Sequence, residues 1–330
     1  MIQTLGLPEI YKPIKEDLDR FNSLIRKELS SRDSFMNGIY EHLLNISGKH
    51  LRPALAIFSA RLAGDTSETP IRIAMAIELL HTATLVHDDI IDGSMYRRNQ
   101  LSMNAKWGTE VSIICGDHLY AKAFTILSEL TDPMINKMFS ACARTMCEGE
   151  MKQVETRNNL DMDEAAYTEI ILKKTASLFQ AACAAGGYVA RKPMETIERL
   201  GEYGRSFGLL FQLTDDCMDL VGSEENLGKK AGLDFEKSDP TLPLIYLYQG
   251  LDADGRSEFK KIMNGATPDE KALYFQRVKA RVLSTGILER CMTHARGYAA
   301  AAALALKEFP ESPCRKSLLD LVDYTFQRVG

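Results

Sequence analysis

Apolar residues recur at intervals of three and four through almost the whole chain of 330 residues, and this single pattern excludes most folds. It predicts helices over 14–31, 34–46, 53–63, 70–91, 111–129, 133–156, 164–190, 194–220, 240–249, 255–264, 268–284, 286–309 and 313–328. No stretch alternates strictly between apolar and polar residues, so no substantial sheet is expected. Breakers fall between the periodic segments, at Gly48, Pro53, Gly64, Gly93, Pro133, Gly222, Gly228 and Gly265. There is no low-complexity tract, clear linker or solenoid-type repeat. The expectation is one all-α domain spanning 1–330, with long helices packed around a central cavity.

Composition narrows the function. Hydrophobic residues make up 45% of the chain, ample for a buried core, and the formal net charge is -5. A mildly acidic chain is poorly suited to bulk binding of nucleic acid or anionic lipid, so any anion must be held by a local basic cluster. The seven cysteines, Cys115, Cys142, Cys147, Cys183, Cys217, Cys291 and Cys314, are odd in number and irregular in spacing, with no Cys-x-x-Cys pair. Several sit in apolar runs, so most read as buried small hydrophobes of a reduced, cytoplasmic protein. The N-terminus lacks the pattern of a signal peptide, and no run of eighteen apolar residues predicts a transmembrane helix.

One internal echo stands out: D-D-x-x-D occurs at Asp88–Asp92 and again at Asp215–Asp219, each near the end of a helical segment. Helical spacing places His81, Thr84, Asp88 and Asp92 near one face, with Asp89 beside them. Gln212, Asp215, Asp216 and Asp219 share a face by the same arithmetic. Like charges four apart destabilise a helix, and anions are disfavoured at a helix C-terminus. A fold that tolerates both usually supplies cations. A lone acidic pair is ordinarily solvated surface; two identical tetrads in apolar surroundings suggest clusters facing across a cavity. That geometry suits magnesium, which takes oxygen ligands and keeps sites for water and substrate phosphate. The EF-hand pattern is absent, and His81 and His87 have no cysteine at zinc-ligand spacing.

Basic residues flank these clusters: Lys49, His50 and Arg52 around Gly48 and Pro53, then Arg97-Arg98, Lys173-Lys174 and Lys229-Lys230. Lys49 and Arg52 stand at a helix start, a natural anion site. Two adjacent arginines suit two phosphate groups. Taken singly, Lys173, Lys230 and His50 read as surface charges, and His81 among leucines reads equally as a core histidine.

The strings SGKHLRP, ELLHTATLVHDDIIDGSMYRRN, GDHLYAKAF, EGEMKQ, LKKTASLF, FGLLFQLTDDCMDL, GKKAGLDF and TLPLIYL, in this order and spacing, resemble the trans-polyprenyl diphosphate synthases from about Ile10 to the C-terminus. The resemblance implies the isoprenoid synthase type I fold, mostly antiparallel helices around a deep cavity, as a homodimer. It implies a reaction between isopentenyl diphosphate and an allylic prenyl diphosphate, with three Mg2+ ions per site. Asp88, Asp92 and Asp215 match metal ligands, supported directly or through water by Asp89, Asp216 and Asp219. Arg97, Lys174 and Lys229 match positions that bind the allylic diphosphate. Lys49, Arg52, His81 and Arg98 match the isopentenyl diphosphate pocket, and Thr175 and Gln212 match polar groups beside the developing carbocation. The family usually carries a lysine shortly before its Thr-Leu-Pro string; two residues before Thr241 stands Asp239, and the nearest lysine is Lys237. That departure weakens or moves one diphosphate contact. His50 stands where arginine is common.

Product length is expected to follow the cavity floor. Ala83 and Thr84, five and four residues before Asp88, are small, whereas bulky aromatics there stop elongation early in the family. Phe139 on 133–156 is a candidate floor deeper down, although ordinary core packing is the commoner role for such a residue. The N-terminal string EIYKPIKEDLDRF resembles octaprenyl-type synthases. Together these features favour a product of roughly six to eight isoprene units, about 36 Å of tunnel along a 24-residue helix. Geranylgeranyl or farnesylgeranyl synthesis is the nearer alternative. A class I cyclase would lack the second D-D-x-x-D, and an inactive regulatory subunit would have lost the carboxylates.

Overall fold

The computed structural model describes residues 5–46, 48–222 and 231–329. After a short helix α1 (Leu7–Ile10), the chain runs through α2 (Lys15–Glu28), α3 (Ser34–Asn45), α4 (Leu51–Leu62) and α5 (Thr69–Ile91). A two-residue-per-strand hairpin, β1 (Tyr96–Arg97) and β2 (Gln100–Leu101), pairs Tyr96 with Leu101. Then come α6 (Met103–Trp107), α7 (Thr109–Ser128), α8 (Pro133–Thr156), α9 (Glu164–Ile171), α10 (Ser177–Val189) and α11 (Met194–Val221). The C-terminal part holds α12 (Leu233–Lys237), α13 (Leu242–Gln249), α14 (Ala253–Gly265), α15 (Pro268–Ser284), α16 (Ile287–Ala305) and α17 (Pro313–Phe326).

The sequence explains where these helices start. Asp33, Asp132, Asp163, Asp252 and Ser312 each accept a backbone N–H of the first turn. Thr267 and Glu270 form a reciprocal capping box on α15. The end of α5 is fixed just as firmly. Gly93 adopts φ +60°, its N–H reaches the Ile90 carbonyl (3.1 Å), and the Ser94 N–H reaches Asp89 (2.9 Å). This Schellman closure stops the helix directly after the aspartates.

Helices α4, α5, α10 and α11 form the middle of the bundle, with α7 against α5 and α16 against α11. Their shared core includes Phe58, Ile77, Leu80, Phe179, Phe207 and Leu213, all fully buried. A smaller core under α12–α15 gathers Phe235, Phe259, Phe275 and Val282. The expected all-α class is the class found, and most predicted segments match a helix. Three differences matter. The segment 164–190 is two helices joined by a π-type turn, Leu172–Ala176. Helix α4 opens at Leu51 with Pro53 inside its first turn. The hairpin, α6 and α12 were not expected, because elements of two to five residues carry no periodicity. None of the described helices is long and apolar enough to cross a membrane.

Candidate active site

Helices α4, α5, α8, α10 and α11 and the chain end enclose a cavity of about 870 Å³. Asp88 and Asp215, one from each tetrad, line it from α5 and α11. Asp88 is half-buried, and loss of solvent pushes its carboxyl up to about 7, against the pull of Lys174. Lys174 Nζ lies 3.8 Å from Asp88 and 2.5 Å from Glu150, which also faces the cavity. Asp92 sits beside them, held by Lys237 Nζ at 2.8 Å and Arg157 at 3.0 Å. Asp215 is paired with Arg328 from the C-terminus at 2.7 Å, and Arg328 lies over the Phe211 ring.

The remaining aspartates do different work. Asp89 is nearly solvent-free and takes three hydrogen bonds from the Arg97 guanidinium (2.7–3.0 Å), aiming that arginine at the cavity. Asp216 is buried and accepts from Tyr167 Oη (2.6 Å) and Gln212 Nε2 (2.8 Å). Burial pushes its carboxyl up to about 7. Asp219 accepts the Asp234 backbone N–H at 3.0 Å and so anchors α12. None of Asp89, Asp216 and Asp219 lines the cavity. Helix geometry accounts for Asp89 and Asp216, each turned by about 100° from the cavity-facing residue before it; Asp219, on nearly the same face as Asp215, is instead taken up by its bond to the Asp234 N–H. The six aspartates thus divide into Asp88 and Asp215 in the cavity wall, with Asp92 adjoining, and Asp89, Asp216 and Asp219 behind it.

The π-type turn brings consecutive residues Lys174 and Thr175 to the same cavity. Such bulges often mark functional sites. Gly149 of α8 makes room for it: a Cβ there would lie 2.5 Å from the Lys174 backbone nitrogen. Thr175 donates to Gln212 Oε1 (2.8 Å), whose amide donates to Asp216, so both side chains are locked in one orientation.

A second basic group lies across the cavity. Arg52 is half-buried at the cavity wall, stacks 4.3 Å over the Phe179 ring and donates to His81 Nε2 at 3.0 Å. Burial lowers its guanidinium to about 10. Burial, then Arg52, Arg98 and Arg97, drive His81 well below the usual imidazole range, so it serves as a neutral acceptor. Arg52 Nε has no partner among the described residues. Arg98 is placed by its own left-handed backbone (φ 50°) and donates to the Ile46 carbonyl at 2.7 Å. A Cβ on Gly48 would collide with its guanidinium. Lys49 donates to Tyr324 Oη at 3.2 Å, and Tyr11 Oη donates to the Lys49 carbonyl. His50 faces Glu78 at 3.1 Å.

Lys229 lies outside the described residues. Of the three residues expected to set chain length, Thr84 lines the cavity, whereas Ala83 and Phe139 are fully buried in the core and line none of it. Ala83 stands five residues before Asp88, about 140° around the helix; Thr84, four before, lies within about 40°. Phe139 shares a face with Met146 but lies two turns away. His87, Tyr120, Met146, Cys147 and Leu178 form the wall near Thr84. His87 and Tyr120 stack at 6.2 Å, and Gly116 leaves space for the imidazole. Arg157 and Arg328 stand in no motif that would have flagged them, and neither Glu150, inside the EGEMKQ string, nor Lys237, noted only as the nearest lysine to Thr241, was given a site role; only the folded chain brings them to the aspartates.

Among the described residues no three His, Cys, Asp or Glu side chains converge tightly enough to hold a metal ion alone. The donor set nevertheless fits magnesium of the phosphate-completed kind: carboxylates from two helices face one cavity, and each is balanced by a cation that an incoming metal could replace.

The polyprenyl synthetase family model matches residues 33–278. The chain belongs to the polyprenyl synthetase family. It is 32% identical to the all-trans-nonaprenyl-diphosphate synthase (geranyl-diphosphate specific) of Rhodobacter capsulatus, over 97% of this chain and 98% of that one. It is also 32% identical to the octaprenyl diphosphate synthase of Escherichia coli, over 98% and 99%. A polyprenyl synthase from Caulobacter crescentus, crystallised with calcium and isoprenyl diphosphate, superposes with a TM-score of 0.93 at 33% identity, covering 100% of both chains. Membership makes this chain a prenyltransferase of the isoprenoid synthase fold.

Proposed function

We propose that this prenyltransferase is a long-chain trans-polyprenyl diphosphate synthase, coupling an allylic diphosphate head to tail with isopentenyl diphosphate. The observation that carries this reading is the cavity with two basic groups and two aspartate rows. Asp88, Asp92, Asp215, Lys174, Arg97 and Lys237 surround one end; Lys49, Arg52, His81 and Arg98 surround the other. Two diphosphates of different substrates can be held at once. A cyclase, which takes one substrate, has no need of the second basic group.

Lys174 and Arg97 bind and orient the allylic diphosphate and stabilise charge as its carbon–oxygen bond breaks. Magnesium, when bound by Asp88, Asp92 and Asp215 as up to three ions, supplies further neutralisation of the leaving diphosphate. The locked oxygens of Thr175 and Gln212 face the resulting allylic cation. The alkene of isopentenyl diphosphate, held by Lys49, Arg52 and Arg98, attacks to form the new carbon–carbon bond. A proton then leaves to the released diphosphate. Leu85, Leu178 and Phe211 keep water away from the cation.

The relatives named as octaprenyl and nonaprenyl synthases support a long product. The exposed pair Ile113 and Ile114 on α7 supports a homodimer. Seven unpaired cysteines support a reduced, cytoplasmic setting. The test is a product assay with magnesium, isopentenyl diphosphate and, separately, dimethylallyl, geranyl and farnesyl diphosphate, sized by chromatography. Long prenyl chains are expected from at least one primer. Asp88→Ala and Asp215→Ala should each lower turnover by about a hundredfold or more without changing the melting temperature. Near-normal turnover in both variants would remove the assignment.

A further inference from the structure

The Thr-Leu-Pro string is preceded by Asp239 where a lysine is common in such chains, and the structure shows where the missing cation has gone. Ser238 adopts a left-handed backbone (φ 62°) directly after α12, so its two neighbours point in different directions. Lys237 lines the cavity and reaches Asp92 Oδ2 at 2.8 Å. Asp239 is 6% exposed and absent from the cavity wall. It accepts from Gln153 Nε2 and Arg157 Nε, both at 3.0 Å. Arg157 then spans back to Asp92 Oδ1, at 3.0 Å from its Nη2. The turn itself is stitched in place. The Asn158 N–H donates to the Ser238 carbonyl (3.0 Å), Ser238 Oγ donates to Met263 (2.6 Å), and Lys271 donates to Ser238 Oγ (2.7 Å).

The geometry points to a relocated diphosphate cation. Lys237 binds the allylic diphosphate in place of a lysine at 239, and the Arg157–Asp239 pair positions it by fixing Asp92 from the far side. This rests on the prenyltransferase reading given above. The charges explain why the two positions change together. A lysine at 239 would face the Arg157 guanidinium, so an acid there suits a cavity cation at 237. Nζ of Lys237 sits on a carboxylate adjoining Asp88, within a side-chain rotation of the space a diphosphate held by Lys174 and Arg97 would fill. It is a flexible point charge, suited to passing from a carboxylate to a phosphate oxygen.

The test compares wild type with Lys237→Gln, Lys237→Arg, Asp239→Asn and the double variant Lys237→Gln/Asp239→Lys, each first checked for an unchanged melting temperature. Two readouts are taken: calorimetric affinity for inorganic diphosphate in the presence of Mg2+, and separate KM values for the allylic primer and isopentenyl diphosphate. Lys237→Gln should weaken diphosphate binding and raise the allylic KM by about tenfold or more, with the isopentenyl KM within about twofold. Lys237→Arg should recover most of the loss. Asp239→Asn should lower kcat several-fold with smaller changes in KM, as expected of a positioning residue. The double variant should stay impaired. Unchanged diphosphate affinity in Lys237→Gln, a loss confined to the isopentenyl KM, or full rescue by Asp239→Lys would each overturn the proposal. A wild-type chain that elongates no primer would instead count against the prenyltransferase reading, while the calorimetric arm would still decide Lys237.

Discussion

At the scale of single residues, the site is organised by which charges are solvent-free. His81 shows this most clearly, because loss of solvent and the neighbouring Arg52, Arg98, Arg97 and His50 hold its imidazole well below the usual range. Its folded value lies below the unfolded one, near 6.5. Above that pH both states are neutral and His81 contributes no pH dependence. Below it the unfolded chain takes a proton that the folded chain refuses, so stability falls with falling pH. Asp216 works in the opposite direction, since a carboxyl raised to about 7 favours the folded state at low pH. Wild type minus His81→Gln therefore isolates the histidine. Chemical denaturation from pH 7.5 down to 5 should show the wild type losing up to about 1.4 kcal/mol per pH unit more than the variant below 6.5. Equal slopes would mean that His81 is protonated in the folded protein. The sequence placed His81 in register with Asp88. It could not show the four neighbouring positive or potentially positive groups that act on the imidazole, because all four lie outside α5.

At the scale of elements, helices were legible where they were long. The periodicity gave α5, α8 and α11 to within a residue or so of their ends, since a pattern of more than twenty residues is bounded by breakers such as Gly93, Pro133 and Gly222. The 164–190 segment was legible as helical but not as interrupted. Both sides of the π-type turn keep apolar residues in phase, so the extra residue in the turn leaves little trace in the pattern. That turn is nevertheless what presents Lys174 and Thr175 together, and it depends on close approach to α8 at Gly149. Gly149→Ala places a methyl group against the Lys174 backbone, which cannot rotate away. We expect a loss of about 1–3 kcal/mol in stability. A several-fold lower kcat should accompany it, measured at a temperature where the variant remains folded. If the variant is as stable and active as wild type, α8 and the turn have enough slack to accept a Cβ. The reading of α4 shows the converse case. A proline was expected to open the helix, but His50 takes the left-handed cap position and Pro53 falls inside the first turn, where its missing N–H costs nothing.

At the scale of the whole molecule, the two tetrads, 127 positions apart, were legible as partners because only one architecture lets both have a purpose. The depth of the cavity was not, since it depends on which side of α5 each small residue occupies. Ala83 and Thr84 are adjacent in sequence and look interchangeable as gatekeepers. In the fold they are not: Thr84 borders the cavity with Tyr120, Met146 and Cys147, whereas Ala83 is fully enclosed by the core. This separates two substitutions that the sequence would treat alike. Thr84→Phe projects a ring into the space through which a growing chain must pass, so it should shift the product to a shorter chain while leaving the first condensation nearly intact. Ala83→Tyr has no cavity to fill. It should overpack the interior and lower the melting temperature, at a cost of about 1–3 kcal/mol or more, without a selective change in product length. Chromatographic sizing of products from the two variants, together with their melting curves, checks both. A short product from Ala83→Tyr with an unchanged melting temperature would place the growing chain on the other side of α5 and reassign the wall that measures it.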